Sequence, residues 1–234
     1  MMLKYAVPLV FLISLLAGCE AKDTAPKATV DGPDMQVTKG KPLVGDAGIA
    51  SVSVPENCEK LSMDTLRSGG SIRVQTGCSV SAEGATVVVA LNEITIPFDE
   101  AFSVSGDGDT GFREVASVFP RVILAGFVEK SEENALASID PDWTYSNKKM
   151  ALLPGNGGVE YASACVQFSF DAISTAPPAR KGQTTGLRCA RFGESGDTIE
   201  EIMLEVLSFH PADQDGPQAY LPISRMAKSS LRYR

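Results

Sequence analysis

The chain has 234 residues, enough for one domain or two small ones, with 44% apolar and 21% charged residues, an ordinary balance for a protein with a real core. Its formal charge is −8 at neutral pH. An acidic chain of this kind lacks the lysine and arginine excess that neutralises phosphate backbones, so nucleic acid is excluded as a partner.

The first residues, "MMLKYAVPLVFLISLLAGC", place Lys4 ahead of an apolar stretch, Tyr5 to Ala17. At about 13 residues the stretch matches the hydrophobic region of a secretory leader and is too short for a stable membrane span. The small residues Ala17 and Gly18 lead straight into Cys19. The stretch Leu16-Ala17-Gly18-Cys19 resembles the lipobox of bacterial lipoproteins. The resemblance implies that the Cys19 thiol receives a diacylglyceryl group, that residues 1–18 are removed, and that the new amino terminus is acylated too, with palmitate among the expected chains. Two or more acyl chains anchor stably, at about 0.8 kcal/mol per buried methylene. Glu20, in place of the aspartate that retains such proteins in the inner membrane, implies the periplasmic face of the outer membrane.

From Glu20 to Gly48 the chain has three prolines, mixed charge and no sustained apolar periodicity. It reads as a tether (19–48 with the anchor) whose coil span is on the order of 30 Å. The globular domain is expected over 49–234, with two cysteine-bearing halves, about 49–145 and 146–234, as a candidate subdivision.

Past Ser51, "SIRVQ" (71–75), "ATVVVALNEITIPF" (85–98), "RVILAGFVE" (121–129), "ASACVQFSF" (162–170) and "GLRCARF" (186–192) are short runs rich in Val, Ile and Phe, punctuated by Gly, Pro, Asn or Asp. These predict strands joined as hairpins. In 165–170, Val166, Phe168 and Phe170 fall on one face and Cys165, Gln167 and Ser169 on the other, as in an antiparallel sheet with one polar side. "DTGFREVASVFP" predicts a helix with Phe112, Val115, Ala116 and Phe119 on one face and Pro120 as its stop. A second helix is predicted in "DTIEEIMLEVLSFHP", where Thr198 and Glu201 fit a capping box, with a strand as its rival. A third, weaker one covers Glu132 to Ile139. The expected fold is α+β and β-rich, with antiparallel sheets of hairpins, two or three short helices and two disulfides.

With Cys19 acylated, four of the five cysteines remain in an oxidising compartment. They allow three connectivities. "SGG" (68–70) lies midway between Cys58 and Cys78, and "APPA" (176–179) midway between Cys165 and Cys189, so turn chemistry favours Cys58–Cys78 and Cys165–Cys189. The chain has no C-x-x-C and a single histidine, which argues against zinc; no metal or other cofactor is expected.

Catalytic patterns are sparse. His210, in "SFHPAD", reads as a surface or satisfied boundary histidine. "GESGD" (193–197) fails the G-x-S-x-G elbow, and "SNKK" (146–149) matches S-x-x-K without the motifs that accompany it in penicillin-binding enzymes. Trp143, the lone tryptophan, and Tyr145 stand in "DPDWTY", read as a loop able to contact a partner. The terminal "RMAKSSLRYR" carries Arg225, Lys228, Arg232 and Arg234 with no acid, and reads as a frayed tail, with docking as its alternative. The function expected is a lipid-anchored periplasmic protein-binding module. It would be an envelope scaffold or assembly factor, or an immunity-type lipoprotein, a class whose acidic, cysteine-paired character this chain resembles. The alternative is a periplasmic hydrolase with a serine–lysine (Ser146, Lys149) or carboxylate site.

Overall fold

A computed structural model describes residues 40–61, 65–68, 70–82, 84–103, 108–137, 143–153, 163–174 and 179–234. Cys19, Glu20 and the tether up to residue 39 lie outside the described residues.

The framework is an eight-stranded antiparallel sheet. Its strands are β3 (Glu59–Leu61), β4 (Thr65–Ser68), β5 (Ser71–Ala82), β6 (Ala85–Pro97), β7 (Trp143–Leu152), β8 (Ala164–Ser174), β9 (Arg180–Phe192) and β10 (Thr198–Pro211). The order is β3-β5-β6-β10-β9-β8-β7, and β4 also pairs with β5. Strand β10 joins the sequence halves, pairing with β6 on one side and β9 on the other. The two cysteine-bearing halves therefore contribute strands to one sheet.

A small sheet, β1 (Gly40–Val44), β2 (Ala50–Pro55) and β11 (Arg232–Tyr233), packs with helix α4 (Tyr220–Ser230) on one face of the large sheet. Strand β1, at Gly40–Val44, lies inside the segment read as tether. Glu93, buried on β6, holds the β1–β2 turn by accepting hydrogen bonds from the amides of Ala47 (2.8 Å), Ile49 (2.6 Å) and Ala50 (2.8 Å). Only glycine fits at position 45, because a Cβ there would collide with that carboxylate. The opposite face carries α1 (Phe98–Phe102), α2 (Gly108–Val118) and α3 (Pro120–Ala137).

The segment 198–211 is a strand and not the predicted helix. As a central strand covered on both faces, it is buried continuously from Glu201 to Phe209's neighbour Ser208, which erases the alternation that marks half-buried strands. Glu201 and Glu205, four apart, imitate the solvated face of a helix, yet both are buried. The run 121–129 is helical and not a strand. Leu124, Val128 and Glu132 recur every four residues and face the sheet, and Pro120 begins this helix instead of merely stopping the one before. The weak helix expected from Glu132 is the end of α3; Ser138 and Ile139 lie outside the described residues. The carboxyl terminus is ordered. Tyr233 pairs with Ala50, the Arg234 amide donates to the Ile49 carbonyl at 2.8 Å, and Leu231 is buried.

Both disulfides follow the hairpins. Cys165 and Cys189 sit directly opposite on β8 and β9, with Cα atoms 4.0 Å apart, and Cys58 bridges to Cys78 with Cα atoms 5.5 Å apart. The alternation on β8 is as expected, with Val166, Phe168 and Phe170 buried on one face. Closing loops of this size restricts the unfolded chain by about 3 kcal/mol each. Replacing Cys58 and Cys78 together by serine should lower unfolding free energy by about that amount, read as a lower urea midpoint. An unchanged midpoint would show that the bridge adds nothing.

Candidate functional site

Helices α1 to α3 are docked through an aromatic cluster. The Phe98 ring lies 4.9 Å from Phe102 and 5.8 Å from Phe112, and Phe102 lies 5.7 Å from Phe127. The Arg113 guanidinium stacks 4.3 Å above Phe98 and reaches Asp99 and Asp197, tying α2 to the hairpin tip between β9 and β10. Ala116 is buried and Phe112 half-buried, which leaves the other apolar residues of this helix pointing away. Val115, Val118, Phe119 and Val122 are 48, 66, 58 and 69% exposed at the α2–α3 corner. Val115 and Phe119 therefore do not share the buried face that periodicity assigned to them.

Beneath α3 the sheet carries a buried charge cluster. The Arg188 side chain is 7% exposed. Its Nε lies 2.9 Å from Glu132 Oε2 on α3, its Nη1 donates to Glu201 Oε1 at 2.8 Å, and its Nη2 donates to Met203 Sδ at 2.9 Å. Burial opposes the charge on Arg188, but Glu201, Glu132 and Glu205 outweigh it and hold the guanidinium more firmly protonated than in water. Glu132 titrates higher than usual because it is buried, with Arg188 opposing and Glu201 adding to the rise. Glu205 is pushed up to about 7, first by burial and then by repulsion from Glu132, against the pull of Arg188 and Arg73. It joins a polar chain: Gln75 donates to Asn92 at 2.7 Å, and the Asn92 amide approaches Glu205 at 3.4 Å.

A cavity of about 120 Å³ opens between α1, α3 and strands β4 to β6. Arg73, Arg188 and Glu201 line it together with Ile94, Ile96 and Phe127. Burial lowers the Arg73 pKa, with Glu201 opposing. Sequence reading missed Arg188, Glu132, Glu201 and Glu205. The available signal was charge inside otherwise apolar runs, which becomes a buried cluster only once 198–211 is placed in the sheet.

The residues singled out by sequence are dispersed. Trp143 and Tyr145 are half-buried in strand β7, not in a loop; their rings meet Phe209 (5.9 Å) and Phe170 (5.5 Å). Ser146 and Lys149 are both exposed on β7, flanking a bulge, and no hydrogen bond joins them. His210 is buried at the end of β10, and its Nδ1 has no hydrogen-bond partner among the described residues; burial lowers its pKa, reinforced by Lys181. "GESGD" forms the turn between β9 and β10, with the Gly196 amide donating to Gly193. Among the described residues no group of His, Cys, Asp or Glu is arranged to hold a metal ion, and no helix is long and apolar enough to cross a membrane.

No protein-family model matches the chain, and no curated protein matches its sequence. The corner and the cluster are therefore read on their own chemistry.

The raised Glu205 pKa has a defined sign. Between 4.5 and about 7 the folded protein keeps a proton that the unfolded chain releases. Stability is then undiminished below the unfolded value, falls as pH rises through this window and levels off above it. Urea unfolding of Glu205→Gln should lack that fall; an unchanged pH profile would remove Glu205 from the account.

Proposed function

We propose that the protein is a lipid-anchored bacterial envelope protein, held at the periplasmic face of the outer membrane through acylated Cys19, whose domain binds another envelope or periplasmic protein. The observation that carries the binding role is the α2–α3 corner. Three valines and Phe119 stand exposed side by side there, while Glu114 and Ser117 supply an exposed polar rim. Contiguous exposed apolar side chains with a polar border are what a docked protein partner covers, and an aromatic residue at the centre is a usual energetic anchor. The helices beneath are fixed by the aromatic cluster and by the Glu132–Arg188 pair, so the corner is presented without an ordering cost. An envelope scaffold and an immunity-type lipoprotein both fit such a surface.

A photo-crosslinking residue at Val118 or Val122 should join a specific envelope protein, whereas the same residue at Lys60, on another element, should not. Phe119→Asp should abolish the adduct and leave the unfolding free energy within about 0.5 kcal/mol, as for exposed sites generally. Adducts of equal yield at all three positions would overturn the reading. The anchor is tested separately: fatty-acid probe labelling should vanish in Cys19→Ser, and retained labelling would remove the lipobox from the account.

A further inference from the structure

The other face of the large sheet holds a groove of about 550 Å³ between α4 and the outer strands β7, β8 and β9. Its charge runs against that of the whole chain. Lys149, Arg225 and Lys228 line it, against Asp171 as the one carboxylate among its described lining residues. Asp171 accepts from Asn147 Nδ2 at 2.6 Å, and the three cations outnumber this carboxylate by two among the described lining residues. Arg225 and Lys228 belong to the basic terminus, which forms α4 instead of fraying.

Lys149 reaches this face because of a backbone irregularity. Along β7, Ser146 pairs with Asp171 and Lys149 with Ser169, so three steps on one strand match two on the other. Asn147, at φ 52°, takes up the extra residue. Regular alternation would turn Lys149 to the opposite face; the bulge re-aims it beside Ser169 and Asp171.

Neutral donors complete the lining. Lys228 Nζ donates to Thr185 Oγ1 at 3.2 Å, and its pKa is lowered first by burial and then by the Arg225 charge. Ser224 is 2% exposed and lines the groove. The first turn of α4 borders the groove through Tyr220 and Leu221, and its N-cap, Ala219, provides no side-chain cap. That turn places the positive end of the helix dipole at the groove.

We propose that this groove binds a phosphate-bearing ligand, with Lys149, Arg225 and Lys228 around the phosphate and the Ser224 hydroxyl donating to it. Three cations from two separated segments suit a dianionic group better than a single carboxylate, and the volume lies in the range of small-molecule sites. The phosphate can belong to a soluble metabolite or to a lipid headgroup. This inference does not rest on the corner or on the anchor.

The test uses the full chain carrying Cys19→Ser, titrated calorimetrically with inorganic pyrophosphate, dihexanoyl phosphatidic acid and citrate. Pyrophosphate or the short-chain lipid should bind and citrate should bind more weakly. Tighter binding of pyrophosphate identifies a soluble phosphate, and tighter binding of phosphatidic acid identifies a headgroup. Lys149→Ala/Arg225→Ala should weaken binding at least about tenfold, the factor that accompanies loss of a charge-assisted hydrogen bond. Lys60→Ala/Lys130→Ala removes equal charge from exposed sites elsewhere and should leave affinity unchanged. Absence of binding to both phosphorylated probes, equal affinity for citrate, or equal losses in the two double variants would each overturn the proposal.

Discussion

Arg188 sits on a central strand with almost no access to water, and the helical layer is built around that fact. A guanidinium in such a place must be matched by carboxylates, and two are supplied by different layers: Glu201 from the neighbouring strand and Glu132 from α3. Removing Arg188 would leave buried carboxylates uncompensated, a fault that typically costs about 3–5 kcal/mol. The pair therefore fixes where α3 lies on the sheet. The aromatic cluster then positions α1 and α2 against it, and the exposed α2–α3 corner is a consequence of that placement. The surplus carboxylate, Glu205, is accommodated by taking up a proton near neutrality.

The two faces of the sheet are held by different chemistry. One is covered by the β1–β2–β11 sheet and α4, both disulfides lie in that core, and Glu93 binds the small sheet to the large one through backbone amides. The other combines apolar clusters with the charge network and is closed by α1 to α3. Crowding between neighbouring strands is severe enough to dictate residue type: a Cβ on Gly186 would meet the Leu204 carbonyl and the Phe168 ring. The exposed α2–α3 corner and the basic groove thus lie on opposite sides of one framework.

Turn signals, cysteine spacing and β-rich runs were legible in the sequence because each is a local property. "SGG" and the symmetric cysteines predicted both bridges, and Val166, Phe168 and Phe170 predicted which face of β8 is buried. The errors fell where a segment is covered on both sides or read by composition alone. Strand β10 lost its alternation through double burial, and 121–129 is an apolar run whose helical state depends on packing over the sheet. Trp143 stood among turn residues, yet it begins a strand because its ring has Phe209 to meet.

By itself the sequence determined the resemblance of the leader to a lipobox, the hairpin pairing of four cysteines and the predominance of antiparallel strands. These depend on residues close together in the chain, where backbone preference and loop closure act directly. Tertiary structure alone decided that Arg188, Glu132 and Glu201 share one buried site, that Val115 and Phe119 face outward, and that Lys149 lines one groove with Arg225 and Lys228. The two groupings bring together residues from 13 to 79 positions apart along the chain. They follow from sheet order, a one-residue bulge and burial on both faces, none of which is a property of a local segment.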